Sequence, residues 1–140
     1  MTLQDHFSYL QAELAASLAA PLSRRKAQLV AALADSYADR LFAEYGRGGD
    51  ILEFRQELAA SEPVLVPVFG LAADAGPKLV TEAVEVPIDD YGELSIEDFM
   101  VSLYNGNTVP RVRIAMPDGS RLPAHEVLGR AVAFLGAYGG

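Results

Sequence analysis

The period at which apolar residues recur changes partway along this chain, and that change bounds what it can fold into. Up to Ser61 the apolar positions fall at three- and four-residue spacings, the repeat of a helix face, whereas from Val80 onward two segments alternate as half-buried strands do. Leu3, Phe7, Leu10 and Leu14 form one stripe of a helix running to about Leu18. Beyond Pro21, Ser23 is placed to cap a second helix with Val30, Leu33, Tyr37, Leu41 and Tyr45 on its face and Gly46 as its C′ residue. Asp50 and Glu53, at capping-box spacing, open a third helix with Ile51, Phe54 and Leu58, closing near Ser61.

The run from Val64 to Phe69 is apolar on every side and must be buried, but its pattern fits a strand or a short helix with Pro67 in the first turn. Val84, Val86 and Ile88 then alternate as a strand that Glu82 interrupts. Ser95 and Asp98 cap a helix carrying Ile96, Phe99, Met100 and Leu103, which stops at Asn105-Gly106. A second strand spans Val109 to Met116, and Pro117-Asp118-Gly119-Ser120 is a hairpin turn. Pro123 opens a last helix with Val127, Leu128, Ala131, Phe134 and Leu135 inward, and Glu126 stands four residues before Arg130 as an outside pair.

These elements predict an α+β fold: amino-terminal helices, then a small, mostly antiparallel sheet in the order β-α-β-β-α. The helices at 96–104 and 124–136 are expected to cover the sheet. Residues 1–140 read as a single domain, 1–61 its helical part and 62–140 its α+β part. An apolar fraction of 51% supplies the core that such a domain needs.

Composition narrows the chemistry. With no cysteine, a disulfide framework, a thiolate metal site and a cysteine nucleophile are excluded. The two histidines, His6 and His125, lie far apart in sequence and neither has another at i+3 or i+4, so neither a metal nor another cofactor is expected. The uncharged stretch from Pro63 to Ala73 has 11 residues and two prolines, short of the ~20 that span a bilayer. The opening residues carry Asp5 and Glu13 without a basic start, which is unlike a secretory signal, so a cytoplasmic protein that engages no membrane is expected.

Eleven basic against 19 acidic residues give a net charge of −8, which argues against nucleic acid as a partner. Between Lys78 and Arg111 no basic residue occurs, while Glu82, Glu85, Asp89, Asp90, Glu93, Glu97 and Asp98 all fall there. The opposite pole is Arg24-Arg25-Lys26, three cations in a first helical turn where they oppose the helix dipole. Their placement points to a bound anion or an acidic partner, against the plainer reading of an exposed turn screened by water and salt.

Several motifs fail on register. The string from Asp89 to Phe99 resembles the end of an EF-hand calcium loop, but setting Gly92 at the loop's glycine puts Pro87 and Tyr91 where oxygen ligands are required. Gly46-Arg47-Gly48-Gly49-Asp50 follows a helix and lacks the Gly-Lys-Ser/Thr of a phosphate loop. Neither Ser95 nor Ser120 sits in a nucleophile elbow.

The expectation that emerges is a non-catalytic interaction protein, an adaptor, inhibitor or assembly subunit, docking a basic protein partner through Asp89, Asp90, Glu93, Glu97 and Asp98. The rival is a small acid–base enzyme or ligand binder using Asp89, Asp90, Tyr91 and His125. The stripe of the first helix either completes this core or seeds a homodimer, and the homodimer is the expectation carried forward.

Overall fold

The helices that open at Leu3, Arg24, Ile51 and Ile96 begin where a short polar side chain accepts an amide of the first turn, whereas those at Leu65 and Ala124 have no side-chain cap. The computed structural model describes residues 2–86, 92, 94–104 and 106–138. Helix α1 (Leu3–Ala19) has a reciprocal cap, in which the Thr2 hydroxyl accepts the Asp5 amide and the Asp5 carboxylate accepts that of Thr2. Those same bonds hold the Asp5 carboxyl below its ordinary pKa. Ser23 caps α2 (Arg24–Tyr45) through the Lys26 amide, and Asp50 caps α3 (Ile51–Ser61) through that of Leu52.

The ambiguous apolar run is a helix, α4 (Leu65–Ala72), with Pro67 in the first turn, where a missing amide costs no hydrogen bond. One expectation is corrected at the end of α2. Gly46 keeps a right-handed conformation (φ −72°), and the left-handed turn passes to Arg47 and Gly48. Glycine is needed at position 46 for space instead, because a Cβ there would approach the Phe42 ring to 2.5 Å.

Among the described residues the sheet has three antiparallel strands in the order β1 (Lys78–Glu85), β2 (Thr108–Ala115) and β3 (Arg121–Pro123). Helix α5 (Ile96–Tyr104) lies in the connection between β1 and β2, and α6 (Ala124–Ala137) follows β3 directly. The predicted turn joins β2 to β3. Gly119 sits at φ +90°, and Asp118 accepts the amide and hydroxyl of Ser120, which lowers its pKa.

The register pairs Leu79 with Ile114, Thr81 with Val112 and Ile114 with Leu122, so these share one face of the sheet. That face belongs to the main core, in which Leu10, Val30, Leu41, Leu65, Ile114, Leu128 and Leu135 are fully buried. The α1 stripe points into the same core, with Leu10 buried and Leu3, Phe7 and Leu14 packed against it. Phe7 closes over α6 so tightly that a Cβ at Gly136 would lie 2.2 Å from its ring. The α+β architecture with its leading helices is as the sequence predicts, and no helix among the described residues is long and apolar enough to cross a membrane.

Polar side chains tie the layers together. Arg55 of α3 bonds Asp35 and Asp39 of α2 while its guanidinium lies 4.1 Å from the centre of the Phe69 ring of α4. Arg130 reaches Glu62 at 3.2 Å, ahead of α4, rather than the Glu126 that helix spacing suggests.

Candidate functional site

Helix α5 does not cover the sheet with its apolar row, contrary to the expectation from spacing. Ile96, Phe99, Met100 and Leu103 recur at i, i+3, i+4 and i+7, yet they are 83%, 38%, 50% and 57% exposed. Among the described side chains of α5, Ser102 is fully buried, and its hydroxyl donates to the Phe99 carbonyl. The main core beneath the sheet is already filled by α2, α4 and α6, so α5 is left to pack on β2.

Local chemistry fixes this helix at both ends. Ser95 accepts the Asp98 amide at 3.1 Å, and Glu97 and Asp98 in the first turn suit the dipole. At the other end Gly106 and Asn107 take left-handed conformations, and the Asn107 amide returns to the Ser102 carbonyl. The Asn107 carbonyl accepts the amide of Val86, closing the connection where β1 and β2 part. Beside α5 lies an open concavity of about 470 Å³ lined by Thr81, Glu82, Ala83, Val101, Thr108 and Pro110.

The acidic segment is less uniform in space than in sequence. Asp89, Asp90, Tyr91 and Glu93 lie outside the described residues. Glu97 is exposed, while Asp98 pairs with Arg111 of β2 at 3.1 Å and is thereby neutralised within the chain. Glu82, the residue that interrupts the strand pattern, is held by Arg121 of β3 at 3.4 Å. Strand register places Glu82, Arg111, Arg113 and Arg121 on the face opposite the main core, so antiparallel pairing brings cations to a stretch that has none of its own. Spacing along the chain does not show this, because the register that aligns Glu82 with Arg111 is set across the long connection between β1 and β2.

His125 stands at the start of α6, half-buried, with Nε2 3.3 Å from the hydroxyl of Ser17 in α1. Burial lowers its pKa, and the Arg111 charge adds to the shift. The Ser17 side chain is fully buried and no carboxylate is hydrogen-bonded to the imidazole among the described residues, so the pair joins two helices and lacks the access and the orienting partner of a nucleophile and its base. His6 is buried against the edge of Tyr37, and burial first, then Arg40, lowers its pKa. Burial likewise raises that of Tyr37. Among the described residues no three His, Asp or Glu side chains converge as metal ligands.

The basic triplet is split by the turn of α2. Arg24 and Arg25 line a cleft of about 710 Å³, and Lys78 at the start of β1 joins them from the other side. Lys26 instead borders a neighbouring hollow with Glu13, and Arg25 lies between the two. Sequence reasoning missed Lys78, which no local pattern connects to α2.

Compared with family models, with curated proteins and with solved structures, the chain matches none of them.

Proposed function

We propose that this is a non-catalytic interaction protein that docks a basic partner protein on α5 and the acidic segment leading into it. The observation that carries this reading is the row Ile96, Phe99, Met100 and Leu103, a continuous apolar face left in water on a nine-residue helix. An exposed apolar row rimmed by charge is the form of a helix-recognition surface, in which apolar contact supplies affinity and charge supplies orientation and rate. Charge selects the occupant. Glu97 beside the row, with Asp89, Asp90 and Glu93 just ahead of it in sequence, would repel the same segment of a second copy and attract Lys or Arg. The homodimer through α1 is not part of this reading, since its stripe already lies inside the chain's own core.

The test uses an 18-residue amphipathic peptide of Leu and Lys and its Leu and Glu counterpart, with binding followed by fluorescence anisotropy across a salt series. The Lys peptide is expected to bind, about tenfold more weakly to the double variant Phe99→Ser and Leu103→Ser and to the triple variant Asp89→Lys, Asp90→Lys and Glu93→Lys. Rising salt weakens wild-type binding as well. No binding of the Lys peptide, or binding that the Phe99 and Leu103 changes leave untouched, overturns the proposal.

A further inference from the structure

We propose that the cleft between the start of α2 and the start of β1 binds a small phosphate monoester, with Arg24, Arg25 and Lys78 holding the phosphate and Leu22, Leu71 and Pro77 receiving its apolar remainder. The cleft measures about 710 Å³, within the range of small-ligand sites. Three cations from two elements far apart in sequence converge there in a chain of net charge −8. Arg55, Arg111, Arg121 and Arg130 each find a carboxylate, whereas Arg24, Arg25 and Lys78, like Lys26, Arg47 and Arg113, have no ion pair among the described residues, and of these six only the three meet in one cleft.

Neither adjoining helix end accounts for these charges. The Ser23 hydroxyl already accepts the Lys26 amide, so α2 is capped, and cations in its first turn oppose its dipole. The end of α4, which forms the opposite wall, satisfies its carbonyls without them. Ala73 and Ala75 donate to Phe69 and Gly70, and the Leu71 carbonyl accepts from the Asp74 amide and from the Gln28 side chain at 2.8 Å. Two guanidinium forks and an ammonium match the oxygens of a phosphate dianion. Asp74 shares the lining, disfavours a second charged group on the ligand, and offers an acceptor for a hydroxyl, which is why a monoester is inferred rather than a diphosphate.

Titration calorimetry with phenyl phosphate and with inorganic phosphate tests the assignment. Phenyl phosphate is expected to bind more tightly than inorganic phosphate, because only it reaches the apolar wall. Arg24→Ala and Lys78→Ala should each weaken it about tenfold, the loss of one charge-assisted contact. Lys26→Ala removes the same charge from the same turn, but outside the cleft, and should change affinity less than about twofold. All three side chains are exposed, so the variants keep their fold, as circular dichroism will register. No heat of binding at millimolar phenyl phosphate, or equal losses in all three variants, overturns the proposal. So does tighter binding of a polyglutamate peptide with the same equal losses, which would make the cations a diffuse contact for an acidic protein.

Discussion

Helices α5 and α6 carry the same kind of apolar row and treat it oppositely. In α6, Val127, Leu128, Ala131 and Leu135 are all buried, whereas in α5 the corresponding row faces water. Connection explains the difference. Helix α6 leaves β3 without a loop and is laid across the face that holds Val112 and Ile114, while α5 hangs in the long connection between β1 and β2. Each large aliphatic side chain buried in α6 contributes about 1.5–3 kcal/mol, a gain that the α5 row does not collect inside this chain. Amphipathic spacing therefore tells that a face is to be covered, and topology decides whether the chain itself can cover it.

The largest effect expected is on the core side of that contrast. Leu128→Ala should destabilise the protein by about 2–5 kcal/mol in urea unfolding, because the side chain is fully enclosed, while Leu103→Ala should change stability by about 0.5 kcal/mol or less. Equal losses would mean that the α5 row is covered after all.

Two glycines within α6 sharpen the comparison at intermediate scale. Gly136→Ala forces a methyl group against the Phe7 ring and should cost about 1–3 kcal/mol, whereas at Gly129 a Cβ meets nothing within 4 Å and alanine should stabilise the helix by up to about 1 kcal/mol. A destabilising Gly129→Ala would show that α6 is more tightly enclosed than its contacts indicate.

The smallest effect is on pH. Both histidines belong to the helical body and both have lowered pKa values in the fold, so below their ordinary 6.5 the unfolded chain takes up protons that the native chain does not. Stability is full above that value and falls as pH drops through it towards the lower native pKa values. Calorimetric Tm should decline from about pH 7.5 to about pH 5.5, and His6→Phe should flatten the decline. Asp5 and Asp118 act in the same sense only below their ordinary 3.8. A Tm that does not move between pH 7.5 and pH 5.5 in the wild type would separate the imidazoles from stability.

Most helix starts were legible because a cap is local: Ser23, Asp50 and Ser95 each bond an amide two or three residues ahead. Strand β2 and its antiparallel turn were legible from alternation and from Asp118-Gly119, whereas β1 ends at Glu85, before Val86, Ile88 lies outside the described residues, and the three-residue β3 is too short to alternate. What spacing could not reveal were relations between distant segments. Arg111 neutralises Asp98, Arg130 chooses Glu62 over Glu126, and Lys78 joins Arg24 and Arg25, each through tertiary placement. The countercharges of Glu82 and Asp98 are Arg121 and Arg111, on neighbouring strands rather than nearby in sequence. That α5 leaves its apolar row exposed was illegible for the same reason.

The seating of Phe7 over Gly136 and the approach of Ser17 to His125 across 108 residues give the chain a particular order of assembly. On the ribosome α1 precedes α2 and α6, and the surface that receives Phe7 and Ser17 is completed only when α6 emerges, about 100 residues later. Until then the Phe7 and Ser17 side of α1 lacks its cover although α2 already packs on the helix, and closing the long loop between α1 and α6 sets a late, entropically costly step in folding.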